Sequence, residues 1–307
     1  MAEVVLHLGL HKTATGTLQR QFFPACADCQ LFTAAMPEMR GFVDLVTRKD
    51  PMFFSSKEAK GLLESRLDGR RPNVLSNESF SGPPYAGVIE AGLDHRAPVL
   101  ANLRACFPEA RAILVLRRQD DLARSFYRQY LKSGGTRDVR RFYGMKSEVR
   151  HPLMTLDRFR FGPYVGAVKE AFPAGLLVLA YEEFVRDQAS FLEKLTQFIG
   201  ISNPGITLRS ENATRLGPLG MEVSRVLNHL FRSSLNHAGM LPSPPRSDSN
   251  RRLRPVALLH DKWPGRPSPR GQSRLADVGM EILDLVKEDN HRLDESYRLG
   301  LGDYGYY

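Results

Sequence analysis

The 307 residues carry 43 Lys and Arg against 34 Asp and Glu, a net charge of +9 that points to anionic partners without choosing among nucleotide, glycan, nucleic acid or membrane surface. Hydrophobic residues at 42% and charged residues at 25% are ordinary for a folded chain and exclude wholesale disorder. The length suffices for a sizeable core, read here as one domain over 1–307.

Val4 to Leu8 is a short apolar run of branched residues, as expected of a strand buried in a parallel sheet. From Thr15 the spacing Leu18, Phe22, Phe23 is helical, and Thr13, Thr15 and Thr17 offer hydroxyls where that helix begins. The turn between them holds Lys12 among small and hydroxylated residues, the composition of a backbone-amide cradle for an anion, with a phosphate at the helix N-terminus. His11, directly before Lys12, serves either the turn or the chemistry. No leader precedes the first strand, and no run approaches the ~20 apolar residues of a membrane span, so the expectation is a soluble, cytoplasmic protein.

Cys26-Ala27-Asp28-Cys29 has redox or zinc half-site spacing but no second pair. With Cys106 the thiols are too few for a disulfide framework, and they read as ordinary thiols of a reducing compartment. The stretch from Leu31 to Arg71 predicts one helix, Ser56 to Leu67, and carries no functional signal. Asn73 to Glu78 is a second strand whose polar end, Ser76, Asn77 and Glu78, lies where open α/β sheets hold ligands; the loop Ser79 to Tyr85 follows.

Val99 to Phe107 predicts a helix, and Arg111 to Arg118 is a third strand, five apolar residues closed by arginines. Asp120 and Asp121 then open a helix that runs to about Ser133, before Gly134-Gly135 stops it. A helix over Tyr164 to Phe172, a strand over Leu176 to Tyr181 and a helix over Glu182 to Ile199 continue the alternation. The polar loop Asn212 to Leu219 leads to a helix over Met221 to Leu235. Residues 242–274 form a Pro- and Arg-rich insertion with no predicted secondary structure. A last helix runs from Leu275 to about Leu293, with Val278, Ile282, Leu285 and Val286 on its packing face, and the tail Tyr304-Gly305-Tyr306-Tyr307 packs down. No internal repeat is found. Alternating strands and helices predict an α/β fold, a three-layer arrangement of a parallel sheet flanked by helices.

A Walker A loop needs Gly-Lys-Ser/Thr four residues after another glycine; Lys12-Thr13 lacks the preceding glycine, and Gly9 is too close. Arg117 and Arg118 end the third strand where many such enzymes turn an aspartate towards magnesium. Both departures disfavour a metal-assisted kinase.

The run from His7 to Gln19, His-Leu-Gly-Leu-His-Lys-Thr-Ala-Thr-Gly-Thr-Leu-Gln, resembles instead the 5'-phosphosulfate loop of sulfotransferases that use 3'-phosphoadenosine 5'-phosphosulfate (PAPS), usually Lys-Ser/Thr-Gly-Thr-Thr after a strand. Ala14 stands where that glycine is usual and Gly16 where the second threonine is usual, so Thr17 or the backbone must replace the hydroxyl. Arg117 to Tyr127 resembles the family's 3'-phosphate motif, an arginine at a strand end and a serine, Ser125, eight residues later about two turns into the next helix. Leu179 to Phe184 is similar to the family's Tyr-Glu-Asp segment, with Tyr181 either near the adenine or packed in the core. The resemblance runs to about Ile199, and Asn290 to Leu293 with Tyr304 to Tyr306 also looks like bacterial sulfotransferase-type proteins. The glycine-rich lid motif of the cytosolic small-molecule branch is not recognisable, which leaves its work to Arg209, Asn212 or Arg215.

The resemblance implies a P-loop NTPase-like fold and transfer of the sulfuryl group of PAPS to a hydroxyl or amine of an unidentified acceptor, a carbohydrate or small metabolite, without a metal. It places Lys12 at the leaving oxygen, the amides of Thr13, Ala14, Thr15, Gly16 and Thr17 at the 5'-phosphate, and Arg117, Ser125, Tyr181 and Arg215 on the rest of the nucleotide. Glu78 is the expected base with His11 its rival, unless Glu78 only pairs with an arginine such as Arg117. No nucleic acid partner is expected. The alternatives are an ATP-dependent P-loop-like kinase and a non-catalytic nucleotide- or polyanion-binding protein working through Arg246 to Arg274.

Overall fold

The computed structural model describes residues 2–83, 96–146, 152–209, 218–242 and 269–307. Five strands, β1 (Val4–His7), β2 (Gln30–Phe32), β3 (Asn73–Ser76), β4 (Arg111–Leu116) and β5 (Leu176–Ala180), form one parallel sheet in the order β2-β3-β1-β4-β5. β1 lies at its centre, with Val5 beside Val74 on one flank and beside Arg111 on the other.

Strand residues alternate between two apolar faces, so the core is double. Leu6, Leu8, Leu75, Ala112, Leu114, Leu116, Val178 and Ala180 share one cluster with residues of α2 (Pro37–Arg48), α3 (Ser56–Glu64), α4 (Arg96–Cys106), α5 (Gln119–Lys132), α6 (Val139–Phe142), α7 (Phe161–Ala171) and α11 (Pro269–Tyr297). Val5, Val74, Ile113, Val115 and Leu179 belong to the other, with Leu18, Phe22 and Phe23 from the helical segment after β1, Phe184 of α8 (Tyr181–Arg186) and Phe191, Leu192 and Leu195 of α9 (Gln188–Ile199). The expected three-layer α/β arrangement is therefore present, because each strand is apolar on both sides and needs cover on both. The chain leaves β1 towards β2 and leaves β4 towards β5, on opposite sides of the sheet. Their carboxyl ends flank the switch point where such sheets open a crevice.

Several boundaries depart from the sequence reading. β2 and α2 were not anticipated. β3 stops at Ser76, where Asn77 accepts the Ser79 N–H at 2.8 Å and caps a 3-10 turn, Glu78–Ser81, placing Glu78 beyond the strand. β5 stops at Ala180, and the single helix expected over Glu182 to Ile199 is two, divided where the Asp187 carboxylate accepts the Ser190 N–H at 3.0 Å. The helix expected to reach Leu235 is α10 (Pro218–Leu230). α11 begins at Pro269 rather than Leu275, so the end of the 242–274 segment is helical, while residues 243–268 lie outside the described ones. The aromatic tail does pack down: Tyr306 is fully buried and the Tyr307 ring stacks on His291 at 4.7 Å.

Candidate anion-binding active site

β1 delivers the chain to the switch point, and its pairing extends one residue further through the Leu8 N–H to the Ile113 carbonyl at 3.0 Å. Lys12 at φ 70° and Ala14 at φ 63° are left-handed, while Thr13 between them is not. That alternation turns successive N–H groups to one side, the geometry of a nest for anions. Ala14 also opens α1 (Thr15–Thr17), a single α-helical turn continued by a π-helical turn, Leu18–Phe22, and a 3-10 turn, Phe23–Ala25. The Leu18 N–H takes the Ala14 carbonyl at 3.0 Å, so the N–H groups of Thr15, Gly16 and Thr17 have no acceptor within the helix.

The threonine hydroxyls divide their work. Thr13 Oγ1 donates to the Leu10 carbonyl and braces the turn, whereas Thr15 Oγ1 is buried with no protein partner. Gly9 leaves Thr15 its space, since a Cβ there would stand 2.6 Å from Thr15 Oγ1, and its own φ of +44° suits glycine. Residues 12–17 line a cavity of about 420 Å³ together with Gln19, Arg20, Ala34, Asn77, Glu78 and Ser79.

Two ionisable side chains line it. Lys12 Nζ donates to Gln129 Oε1 of α5 at 3.1 Å, and burial lowers its pKa against the opposing pull of Glu78. Glu78 pairs with His11 rather than with Arg117: His11 Nδ1 lies 3.3 Å from Glu78 Oε2. Partial burial raises the carboxyl's pKa, but the His11 hydrogen bond and the charges of His11 and Lys12 outweigh it and hold Glu78 below its ordinary value. The other His11 nitrogen, Nε2, faces the Gly82 carbonyl at 3.0 Å. A carbonyl can only accept, so Nε2 is a donor and presents no lone pair to the cavity.

Arg117 joins this cradle to the end of β4. Its Nη1 donates to the Lys12 carbonyl at 2.9 Å, its guanidinium lies 4.7 Å from the Tyr181 ring centroid, and its Nε is buried without a partner. Arg118 is structural instead, bound to Asp120 at 2.7 Å and to the Tyr304 carbonyl at 3.2 Å. Ser125 is half-buried on α5, and no hydrogen bond joins it to Arg117. One helical turn on, Arg128 also buries an unpartnered Nε, and burial with the charges of Arg124 and Arg117 lowers its pKa.

The structure thus gathers Lys12, Thr13, Ala14, Thr15, Gly16, Thr17 and Glu78 on one cavity, with His11 against Glu78 and Arg117 and Tyr181 attached through Lys12. Arg209 is exposed and exchanges hydrogen bonds with Gln21 through its backbone, at 2.9 and 3.0 Å. Asn212 and Arg215 lie outside the described residues. Sequence reasoning missed Gln19, Arg20, Arg128 and Gln129. Helical spacing could have found two of them, since Arg128 and Gln129 follow Ser125 by three and four. Cys26 and Cys29 are free and buried. Among the described residues no cluster of His, Cys, Asp and Glu could hold a metal ion, and no helix is long and apolar enough to cross a membrane.

No protein-family model and no curated protein sequence matches this chain. Two similar solved structures are sulfotransferases. One, from Alicyclobacillus acidocaldarius, is 16% identical at a TM-score of 0.49, the match covering 74% of this chain and 93% of that one. Another, mouse sulfotransferase SULT7A1 complexed with PAP, is 14% identical at a TM-score of 0.34, covering 92% and 88%.

Proposed function

We propose that the protein is a sulfotransferase that takes the sulfuryl group from PAPS and passes it to a hydroxyl or amine of a carbohydrate or small metabolite. One observation carries this reading: an anion nest with an unpartnered buried hydroxyl, Thr15, is bonded through the Lys12 carbonyl to an arginine whose buried Nε is also unpartnered and whose guanidinium lies over an aromatic ring. A nucleotide with phosphates at both ends needs two such anion sites with a flat apolar surface beside them. Arg117, with Ser125 and Arg128 on the adjoining face of α5, serves the 3'-phosphate, and Tyr181 the adenine.

Residues 13–17 hold the 5'-phosphate with backbone amides. Lys12 puts an ammonium at the bridging oxygen, where negative charge grows as the sulfuryl group departs, and Gln129 fixes its position. Glu78 removes the acceptor proton, and its lowered pKa keeps it ionised at neutral pH. His11 positions Glu78, because its Nε2 is turned onto the Gly82 carbonyl and its Nδ1 onto the carboxylate. The experiment is a thermal-shift comparison of adenosine 3',5'-bisphosphate (PAP), AMP and ATP, coupled to a transfer assay on wild type and Lys12→Ala. PAP is expected to stabilise most, and Lys12→Ala to abolish transfer while the protein stays folded. Preference for ATP, phosphoryl transfer from magnesium ATP, or undiminished PAPS turnover by Lys12→Ala overturns the proposal.

A further inference from the structure

Residue 16 lines the cavity between Thr15 and Thr17, and it is glycine. A Cβ there would lie 2.7 Å from Nη2 of Arg20, 3.0 Å from Nη1 and 3.2 Å from Cζ. The volume of a residue-16 side chain is therefore filled by the guanidinium of the residue one turn later. Helical side chains lean towards the N-terminus, which brings a long side chain at i+4 back over position i. Gly16 is not left-handed, so the turn does not demand glycine there. What it supplies is room.

Arg20 lines the same cavity as Lys12 and residues 13–17. The N–H groups of Thr15, Gly16 and Thr17, which have no acceptor within the helix, already favour an anion at that end of the cavity, and Lys12 adds a full charge. A guanidinium placed beside them raises the potential further and offers paired donors that match the oxygens of a phosphate or sulfuryl group.

We propose that Arg20 is a direct ligand of the anionic end of the sulfuryl donor, and that Gly16 is the space that admits it. This rests on the donor assignment above. Arg20 supplies to the donor's oxygens, as a charged fork, what a hydroxylated residue at 16 would supply as a single hydrogen bond.

The test is calorimetric titration with PAP and, separately, with inorganic pyrophosphate as a minimal anion. Arg20→Ala is expected to weaken PAP binding about tenfold or more, as loss of charge-assisted hydrogen bonds does. Gly16→Ala displaces the guanidinium without adding a hydroxyl, so it is expected to weaken PAP binding comparably. Its unliganded thermal stability should equal or exceed wild type, since alanine suits a helical turn better than glycine. The double variant should bind no more weakly than Gly16→Ala alone, and Arg20→Lys should fall between wild type and Arg20→Ala. Binding by Arg20→Ala within twofold of wild type, full affinity in Gly16→Ala, or losses that multiply in the double variant overturn the proposal. If PAP binds no better than AMP while pyrophosphate binding still depends on Arg20, the donor assignment falls and the role of Arg20 as an anion ligand stands. Binding of neither probe overturns both.

Discussion

Ala14 concentrates what is unusual about the cradle. It holds φ at 63°, a conformation that costs a residue with a Cβ about 1–2 kcal/mol and glycine nothing. The nest needs this hand, so the backbone keeps it and the alanine bears the strain. Ala14→Gly relieves that strain but gives back about 0.4–1 kcal/mol through a freer unfolded chain. The expected outcome is unfolding free energy unchanged or raised by up to about 1.5 kcal/mol, with PAP affinity retained; Ala14→Val, branched at a left-handed position, should lose both. Urea titrations of the three proteins decide it. Beside the nest, Glu78→Gln keeps the shape of the side chain and removes its basicity. It should lower kcat by about 10²–10⁴ and leave the PAP dissociation constant within twofold. At this scale the site was legible wherever the chemistry is local, as in Lys12 to Thr17. Arg20 was not, because its place depends on a side chain missing four residues earlier. The pairing of His11 with Glu78 was hidden as well, for it joins turns 67 residues apart in sequence.

Between elements, β1, β3 and the helical segment after β1 are tied by one chain of polar contacts. His7 Nδ1 meets Ser76 Oγ at 2.8 Å, and Gln19 Nε2 donates to the Ser76 carbonyl at 2.8 Å and to its hydroxyl at 3.0 Å. His7 is fully buried, its Nε2 has no partner, and burial lowers its pKa from 6.5 to about 4. Because the folded pKa is depressed, the unfolded chain binds the proton first. The stabilisation is whole above pH 6.5 and drains away as pH falls towards 4. The loss from this one group over that window is about 3 kcal/mol. Unfolding free energies of wild type and His7→Gln at pH 7 and pH 4 should show the wild type losing that much more; parallel losses would remove His7 from the account. Four strands and most helices were legible for the same physical reason: buried parallel strands are apolar on both faces, and the helices carry stripes. α2 was legible in principle, since Met39, Phe42, Val43 and Val46 repeat at helical spacing, but Met36 before it supplies no side-chain cap to announce a start. β2 was not legible, because it is three residues at the sheet edge with only Phe32 buried.

Across the whole molecule, the last residues close the corner that carries Arg117 and Tyr181. The Tyr306 hydroxyl donates to Glu182 Oε2 at 2.7 Å, and the other oxygen of Glu182 accepts the Arg118 N–H at 3.0 Å where α5 begins. The Tyr306 carbonyl accepts from Asn290 of α11 at 2.9 Å, and Asn290 Oδ1 in turn accepts from Gln119 at 2.6 Å. Three aromatics in four residues announce that the tail packs, but partners 124 residues away cannot be read from it. Tyr306→Phe keeps the packing and leaves the Glu182 carboxylate short of one donor, which should cost about 1.5–3 kcal/mol. Tyr306→Ala also opens a cavity and should cost about 3–5 kcal/mol. The nest takes its backbone from the end of β1 and meets this corner through one hydrogen bond, from Arg117 to the Lys12 carbonyl, so the two ligands separate the consequences. In Tyr306→Phe, PAP binding should weaken as Arg117 and Tyr181 lose their support, while pyrophosphate binding at residues 12–17 stays within twofold of wild type. Equal loss of both ligands would mean that the corner supports the entire sheet opening rather than the half that receives the nucleoside.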